Sequence, residues 1–249
     1  MFDIAGKLAV QSWCFRKFKS LDELAEKVKA IGLSRIEICA VHADFGKVEE
    51  FEKINATLKG HGITIASLGV QYFGGAAVEE SWFRCAKAAG CPMISASFEL
   101  SKMPDVLATV QLLADRYDIN LGIHNHGGWD WLGSHRMLSH IFAQTSKRIG
   151  LCLDTAWMLQ AGEDPIKFAD KFADRLYGVH IKDFTFLPTG RVEDVVVGTA
   201  NLKLKELMGI ITGKAADVCK SVTLEYEGDE NNPGPKLIEC IEKIREATA

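Results

Sequence analysis

Four polar residues close short apolar runs in the second half of the chain: His124 after INLGI, Asp154 after GLCL, His180 after LYGV and Glu225 after VTL. Each run is too short for a helix and is followed by a helical pattern, which reads as a buried parallel strand. Where such strands lie side by side in a barrel, their carboxyl ends open onto one face and chemistry collects there. Two imidazoles and two carboxylates converging on that face form a ligand set for a divalent metal. A mixed nitrogen and oxygen shell suits Mn, Zn, Co or Fe better than Mg or Ca, which prefer oxygen throughout. Four protein ligands leave room for substrate oxygens only at five- or six-coordination, which points to Mn²⁺ over a closed tetrahedral Zn²⁺.

Around this quartet stand further candidates. In HNHGGWDW, His126 points to the same side of an extended chain as His124, with Asn125 opposite. Its ordinary pKa near neutrality suits a general acid or base, and orienting a ligand is the equal alternative. In HIKD, Lys182 shares a side with His180. It could stabilise a developing enolate, or simply pair with a carboxylate. Glu37, set between apolar residues in RIEIC, is costly to bury unpaired and is expected to face the open end and bind substrate. His42 follows in the next loop, and Gln11, Gln71 and Glu99 end strands one, three and four as candidate hydroxyl-binding groups. Trp13, Trp129, Trp131 and Trp157 lie just beyond strand ends. Roofing the core is the commoner role for each, with at least one expected to line a pocket.

The elements that must position these groups alternate from end to end. Eight strand patterns, from KLAVQS to SVTLEYE, are each followed by a helix pattern. Helix starts are marked by a Ser20–Glu23 capping box, by Ser134, and by Asp164–Pro165; Pro104 is read as the first residue of helix four, and Gly32 as a left-handed helix end. Parallel strands need crossover helices, so the alternation implies a parallel sheet. The unit count and the length of 249 residues fit one (β/α)8 TIM barrel, a single domain over residues 1–249. Phe184 to Asn201 is a long connection, read as a lid or flap.

The bulk numbers narrow the function. With 47% apolar and 25% charged residues, a net charge of −4 and a pI near 6.0, the chain has no basic field for nucleic acid or anionic membranes. The seven cysteines are scattered without a CxxC pair, no apolar run reaches membrane-spanning length, and the start lacks a signal-peptide pattern, so a cytoplasmic protein is expected. Neither GxxxxGK[ST] nor GxGxxG occurs. Lys182 and Arg191 are the obvious basic residues of the last loops, too few to predict a phosphate site.

GLCLDTAWMLQAGEDP, LYGVHIKD and LEYEG together resemble the xylose isomerase-like barrels, often labelled sugar phosphate isomerase/epimerase. The resemblance spans nearly the whole chain. It implies a divalent metal at Asp154, His180 and Glu225, and isomerisation or epimerisation of a sugar through an enediol. Two departures matter. Many members carry Glu at the end of strand five, in a sequence like ENHG, where this chain has His124. That weakens a strict two-glutamate epimerase and leaves Glu225 or His126 as base. The DNA-repair endonuclease branch has His where this chain has Trp157, which cannot ligate a metal. The chain is also similar to enzymes of 3-keto-glycosides, which eliminate or hydrate and share the removal of a proton next to a carbonyl. The expectation is therefore a sugar isomerase/epimerase, with an eliminase/hydratase on 3-keto-glycosides as the close alternative. The partner is a small sugar or keto-sugar, not nucleic acid or membrane, and homo-oligomerisation is left open. A non-catalytic sugar-binding barrel is the remaining reading.

Overall fold

The computed structural model describes residues 4–248. Eight strands close a parallel barrel: β1 (Leu8–Gln11), β2 (Arg35–Ile38), β3 (Thr64–Phe73), β4 (Met93–Phe98), β5 (Asn120–His124), β6 (Ile149–Asp154), β7 (Leu176–Ile181) and β10 (Ser221–Leu224). Around the barrel the order is β1-β10-β7-β6-β5-β4-β3-β2. The strands carry helices on one side and barrel interior on the other, so β1, β4, β6, β7 and β10 are buried at every position. That is why they read as continuous apolar runs rather than alternating ones.

Local signals mark several of the helix ends. Ser20 Oγ accepts from Glu23 N, Ser134 Oγ from Met137 N, and Asp164 from Ile166 N ahead of Pro165 at the first turn. Gly32 adopts φ +77°, which lets the chain leave helix Leu21–Ala30 without a Cβ clash. Pro104 differs by one position from the reading above: it precedes helix Asp105–Tyr117 as its cap residue. Strand β3 is longer than its sequence pattern and carries Gln71 inside it.

Register sets the height of each functional residue. Asp154 sits opposite His180 across β6 and β7, and Gln11 opposite Glu37 across β1 and β2. Glu225 N donates to Ile181 O at 3.1 Å, extending the β7–β10 ladder one residue past β10. Below this level the interior is filled by Met93 and Cys152. Gly122 and Gly178 face them, and a Cβ on Gly178 would stand 2.8 Å from Met93 Cε and 2.9 Å from Cys152 Sγ. Packing is therefore close beneath the site, and the barrel is a filled core there.

The connection after β7 is not a plain loop. Asp183–Phe186 (β8) and Val192–Val195 (β9) form an antiparallel hairpin beside the barrel mouth. The buried Asp183 carboxylate ties down its return, accepting from Gly198 N and Ala200 N on Oδ2 and from Asn201 N and Leu202 N on Oδ1, at 3.0–3.2 Å. Four charge-assisted bonds to one carboxylate fix where the flap leaves and rejoins the barrel.

Candidate metal centre

Four consecutive barrel strands bring His124, Asp154, His180 and Glu225 together at the carboxyl end. One donor atom from each lies within 4.8 Å of the others, and all four side chains are buried. His124 Nε2 is 3.0 Å from His180 Nδ1 and 3.6 Å from Asp154 Oδ2, and His180 Nδ1 is 2.7 Å from Glu225 Oε2. Asp154 is held rigidly: its Oδ1 caps Trp157 N at 2.8 Å, and its backbone is bracketed by Asn125, whose amide donates to Asp154 O and accepts from Asp154 N, both at 2.9 Å. Its Oδ2 has no hydrogen-bond partner, nor does His124 Nδ1.

Buried polar atoms are normally paired, so orphaned lone pairs beside two facing imidazoles call for a ligand. The fit to a cation is good on three counts. The donors are two nitrogens and two carboxylates, their spread is close to twice a ligand bond of about 2.0–2.2 Å, and two of them, His124 and Glu225, line a cavity.

The electrostatics point the same way. Burial and the neighbouring positive charge of His180 push His124 below the ordinary histidine range, leaving a neutral imidazole with a free lone pair. For His180, burial works against the charge, but the Glu37 carboxylate together with Cys152 and Glu225 outweighs it, and the ring is held well above the usual value. For Glu225, burial would favour the acid, yet Lys182 and His180 keep it well below the usual carboxylate range.

Lys182 is fully buried, 3.1 Å from Glu225 Oε1, in contact with Glu227 Oε1 and 3.9 Å from Asp194 Oδ1 on the flap. Burial opposes its charge, but Glu225, Asp154, Asp194 and Glu227 together raise its pKa well above that of a free lysine. Its ammonium is spent on carboxylates and does not line the cavity. Of the two roles read for it from sequence, stabilising an enolate or pairing with a carboxylate, the geometry has the pairing.

Above the quartet opens a cavity of about 380 Å³. Its walls include Trp13, Trp157, Gln11, His126 and Glu227, with His124 and Glu225 at the base. His126 sits with its ring centroid 4.7 Å from that of His124, on the same side as expected, and its Nδ1 is 3.4 Å from Asp130 Oδ2. Asp130 is itself pinned, since the same carboxylate accepts from Leu132 N at 2.8 Å. Trp157 packs edge-on against Phe184 of the flap at 5.1 Å, and Trp13 Nε1 donates to Glu227 Oε2 at 3.0 Å. Trp129 is exposed, and Trp131 donates to Phe98 O as part of the roof.

Not every residue picked from sequence reaches the cavity. Glu37 does not face the mouth. It is fully buried beneath the quartet, so the expected contact with substrate is not made. His42 bonds Phe18 O at 2.8 Å in a separate loop, and Glu99 accepts from Ser101. Gln71 lies inside β3 with its amide nitrogen unpartnered. Of the sugar-binding candidates, Gln11 and Trp157 line the cavity. Asp130, Glu227 and Asp194 were missed, because each joins the site through a loop or the flap rather than from the end of an apolar run.

A family model described as xylose isomerase-like TIM barrel matches residues 25–247. The chain belongs to the xylose isomerase-like TIM barrel family. No protein of curated function matches it. Among solved structures of this barrel type it is similar to a D-psicose 3-epimerase with D-tagatose from Clostridium cellulolyticum H10, at 13% identity and TM-score 0.73, covering 97% of this chain and 99% of that one. It is also similar to the apo form of a 3-keto-D-glucoside 4-epimerase from E. coli, at 16% identity and TM-score 0.72, covering 96% and 99%. A third is the IolI protein with a bound zinc atom, at 16% identity and TM-score 0.72, covering 97% and 98%. At these identities the likeness within the xylose isomerase-like barrels speaks for the fold, and the chemistry must be argued from the site.

Proposed function

We propose that this chain is a divalent-metal-dependent enzyme that isomerises or epimerises a sugar by removing a proton next to its carbonyl. One observation carries the reading: two imidazoles and two carboxylates, with Asp154 Oδ2 unpaired, converge beneath a cavity that has His124 and Glu225 at its base and two indoles and His126 in its walls. His124, Asp154, His180 and Glu225 would hold the cation, with Mn²⁺ favoured and Zn²⁺, Co²⁺ or Fe²⁺ as alternatives. When bound, such a cation supplies Lewis-acid stabilisation of the charge that develops on a carbonyl oxygen.

The side chains divide the remaining work. Lys182 keeps Glu225 ionised, so this carboxylate remains an acceptor even though it is buried. His126 is the mobile proton carrier of the cavity wall, and Asp130 orients its ring through Nδ1. Trp13 and Trp157 present apolar faces suited to a sugar ring and exclude water from the reacting carbon. The cavity lining carries no arginine or lysine, and Lys182 is already matched by three carboxylates. That balance favours a neutral sugar over a phosphorylated one, because a phosphate dianion would meet Glu225 and Glu227 without a counter-charge.

A second reading, elimination from or hydration of a 3-keto-glycoside, shares the proton abstraction and is favoured by His124 and His126. A histidine can protonate a departing oxygen where a paired-glutamate epimerase would return the proton to carbon. The two readings separate in deuterated water. Metal-loaded enzyme with neutral keto- and aldo-sugars should yield an isomer or epimer with deuterium at one carbon. The second reading predicts an enone or its hydrate from a 3-keto-glycoside. Absence of both deuterium exchange and elimination across a panel of such substrates would overturn the proposal.

A further inference from the structure

The Glu37 carboxylate lies inside the barrel, below the quartet, with no solvent exposure. Each oxygen meets two partners. Oε1 accepts from Gln11 Nε2 at 2.7 Å and lies 2.8 Å from His180 Nε2. Oε2 accepts from Ser67 Oγ and from Ser95 Oγ at 3.2 Å. The Ser67 hydroxyl is in turn 3.3 Å from Ser221 Oγ, which lies 3.1 Å from Thr223 Oγ1. Strands β1, β3, β4 and β7 therefore surround this one anion, with Ser221 and Thr223 of β10 backing Ser67. The backbone makes room for it: a Cβ on Gly69 would stand 2.7 Å from Glu37 Cδ, so only glycine leaves the carboxylate in place.

His180 is gripped between this anion and the quartet. Its Nε2 faces Glu37, while its Nδ1 faces Glu225 and His124. The carboxylate stands off the ring N–H direction, so Nε2 makes no hydrogen bond and charge at 2.8 Å holds the pair. A neutral imidazole carries one N–H, and only its other nitrogen can ligate.

We propose that Glu37 is a positioning residue that keeps the N–H of His180 on Nε2 and so presents a bare Nδ1 to the cation. The inference rests on the metal reading above and adds to it a residue that touches neither cation nor substrate. It also explains why a carboxylate is buried so deep: its partner is the ligand histidine, and the site depends on the ring's tautomer and tilt.

The test measures metal binding, not turnover. Metal-free protein is titrated with Co²⁺ against a chromogenic chelator, and folding of each variant is followed separately by circular dichroism and thermal melting. Wild type should take up one equivalent with a d–d spectrum of mixed nitrogen and oxygen ligation. Glu37→Gln, which keeps shape but loses the charge, should bind about 10- to 100-fold more weakly while still folding. Gly69→Ala attacks the same carboxylate from β3 without altering it and should weaken binding in the same direction, which keeps the test open if Glu37→Gln folds poorly. Glu79→Gln removes another buried carboxylate, one that accepts from Gly74 N and Ala76 N away from the quartet, and should leave affinity unchanged. In zinc-loaded protein labelled with nitrogen-15 histidine, His180 should be protonated at Nε2 and ligate through Nδ1. Wild-type affinity in folded Glu37→Gln, or ligation through Nε2, would overturn the inference and leave the quartet standing. No cobalt uptake by wild type would overturn the metal reading itself.

Discussion

Two buried polar clusters in the barrel, one around Glu37 and one at the quartet, are built in opposite ways. On β1 to β4, Gln11, Glu37, Ser67 and Ser95 satisfy one another. On β5, β6, β7 and β10, His124 and His180 face each other at 3.0 Å while Asp154 Oδ2 has no partner. Both groups belong to one closed sheet, the Glu37 network lying deeper than the quartet. A satisfied network rigidifies and orients, whereas a cluster of donors with bare lone pairs is stable only with something bound or protonated between them. The first is a mount and the second is a socket, and His180 is where they join.

The largest break in that comparison should come from the socket. Asp154→Asn keeps the cap on Trp157 N possible but removes an anionic ligand. Metal affinity should fall by more than the roughly 100-fold typical of outer partners, and deuterium exchange into sugar should vanish. Chelator competition and mass spectrometry read the two effects. Next comes the cavity wall. His126→Asn should lower exchange about 10²- to 10⁴-fold while metal affinity stays near wild type, because His126 borders the quartet without belonging to it.

A smaller effect, of sharper sign, concerns pH. The folded pKa of His180 lies well above the unfolded value near 6.5, so its contribution to stability is complete below that value and fades as pH rises through its folded pKa. His124 is shifted down and works oppositely, but its effect is over once the unfolded histidine has lost its proton, by about pH 7. Burial lifts Asp194 to about 6, and the stability it contributes is lost as pH rises from the ordinary Asp range through that value, also below this window. Metal-free protein should therefore melt at lower temperature at pH 9 than at pH 7, and the buried cysteines, all held above the ordinary thiol range by burial, add to the loss as pH nears 9. The rise in melting temperature on adding metal should grow over the same interval, since His180 Nδ1 must be bare to ligate. A metal-induced rise that shrinks with pH would contradict the ligand role of His180. The smallest effect belongs to the flap. Asp183→Asn should weaken the four backbone bonds of the return loop by about 1–3 kcal/mol in total, seen as faster hydrogen exchange at residues 198–202 with the barrel unchanged.

These regions also differ in how far they could be read from residues alone. The socket was legible because His124, Asp154, His180 and Glu225 each stop an apolar run, and in parallel strands the stopping point is the mouth. Glu37 was not, although it too sits in an apolar run. Ile38 follows it on β2, so it lies deeper, and periodicity gives the side of a strand but not the depth along the barrel axis. The expectation that it faces substrate failed for that reason. Its partner His180 is far away in sequence, and no spacing rule links them. Asp130 and Glu227 reach the cavity through irregular chain, and Asp194 through a hairpin whose strands, DFTF and VEDV, are too short and polar to stand out as strands. The eight barrel strands had no such difficulty, since burial on both faces writes itself directly into composition.

The most direct test of the account is anomalous diffraction from crystals of the metal-free protein soaked in Zn²⁺ or Mn²⁺. A single strong peak bounded by His124, Asp154, His180 and Glu225, with His180 Nδ1 as the nearer ring nitrogen, is the predicted result. No peak between those four side chains at full occupancy elsewhere, or a peak that survives Asp154→Asn with His180→Ala, would contradict it.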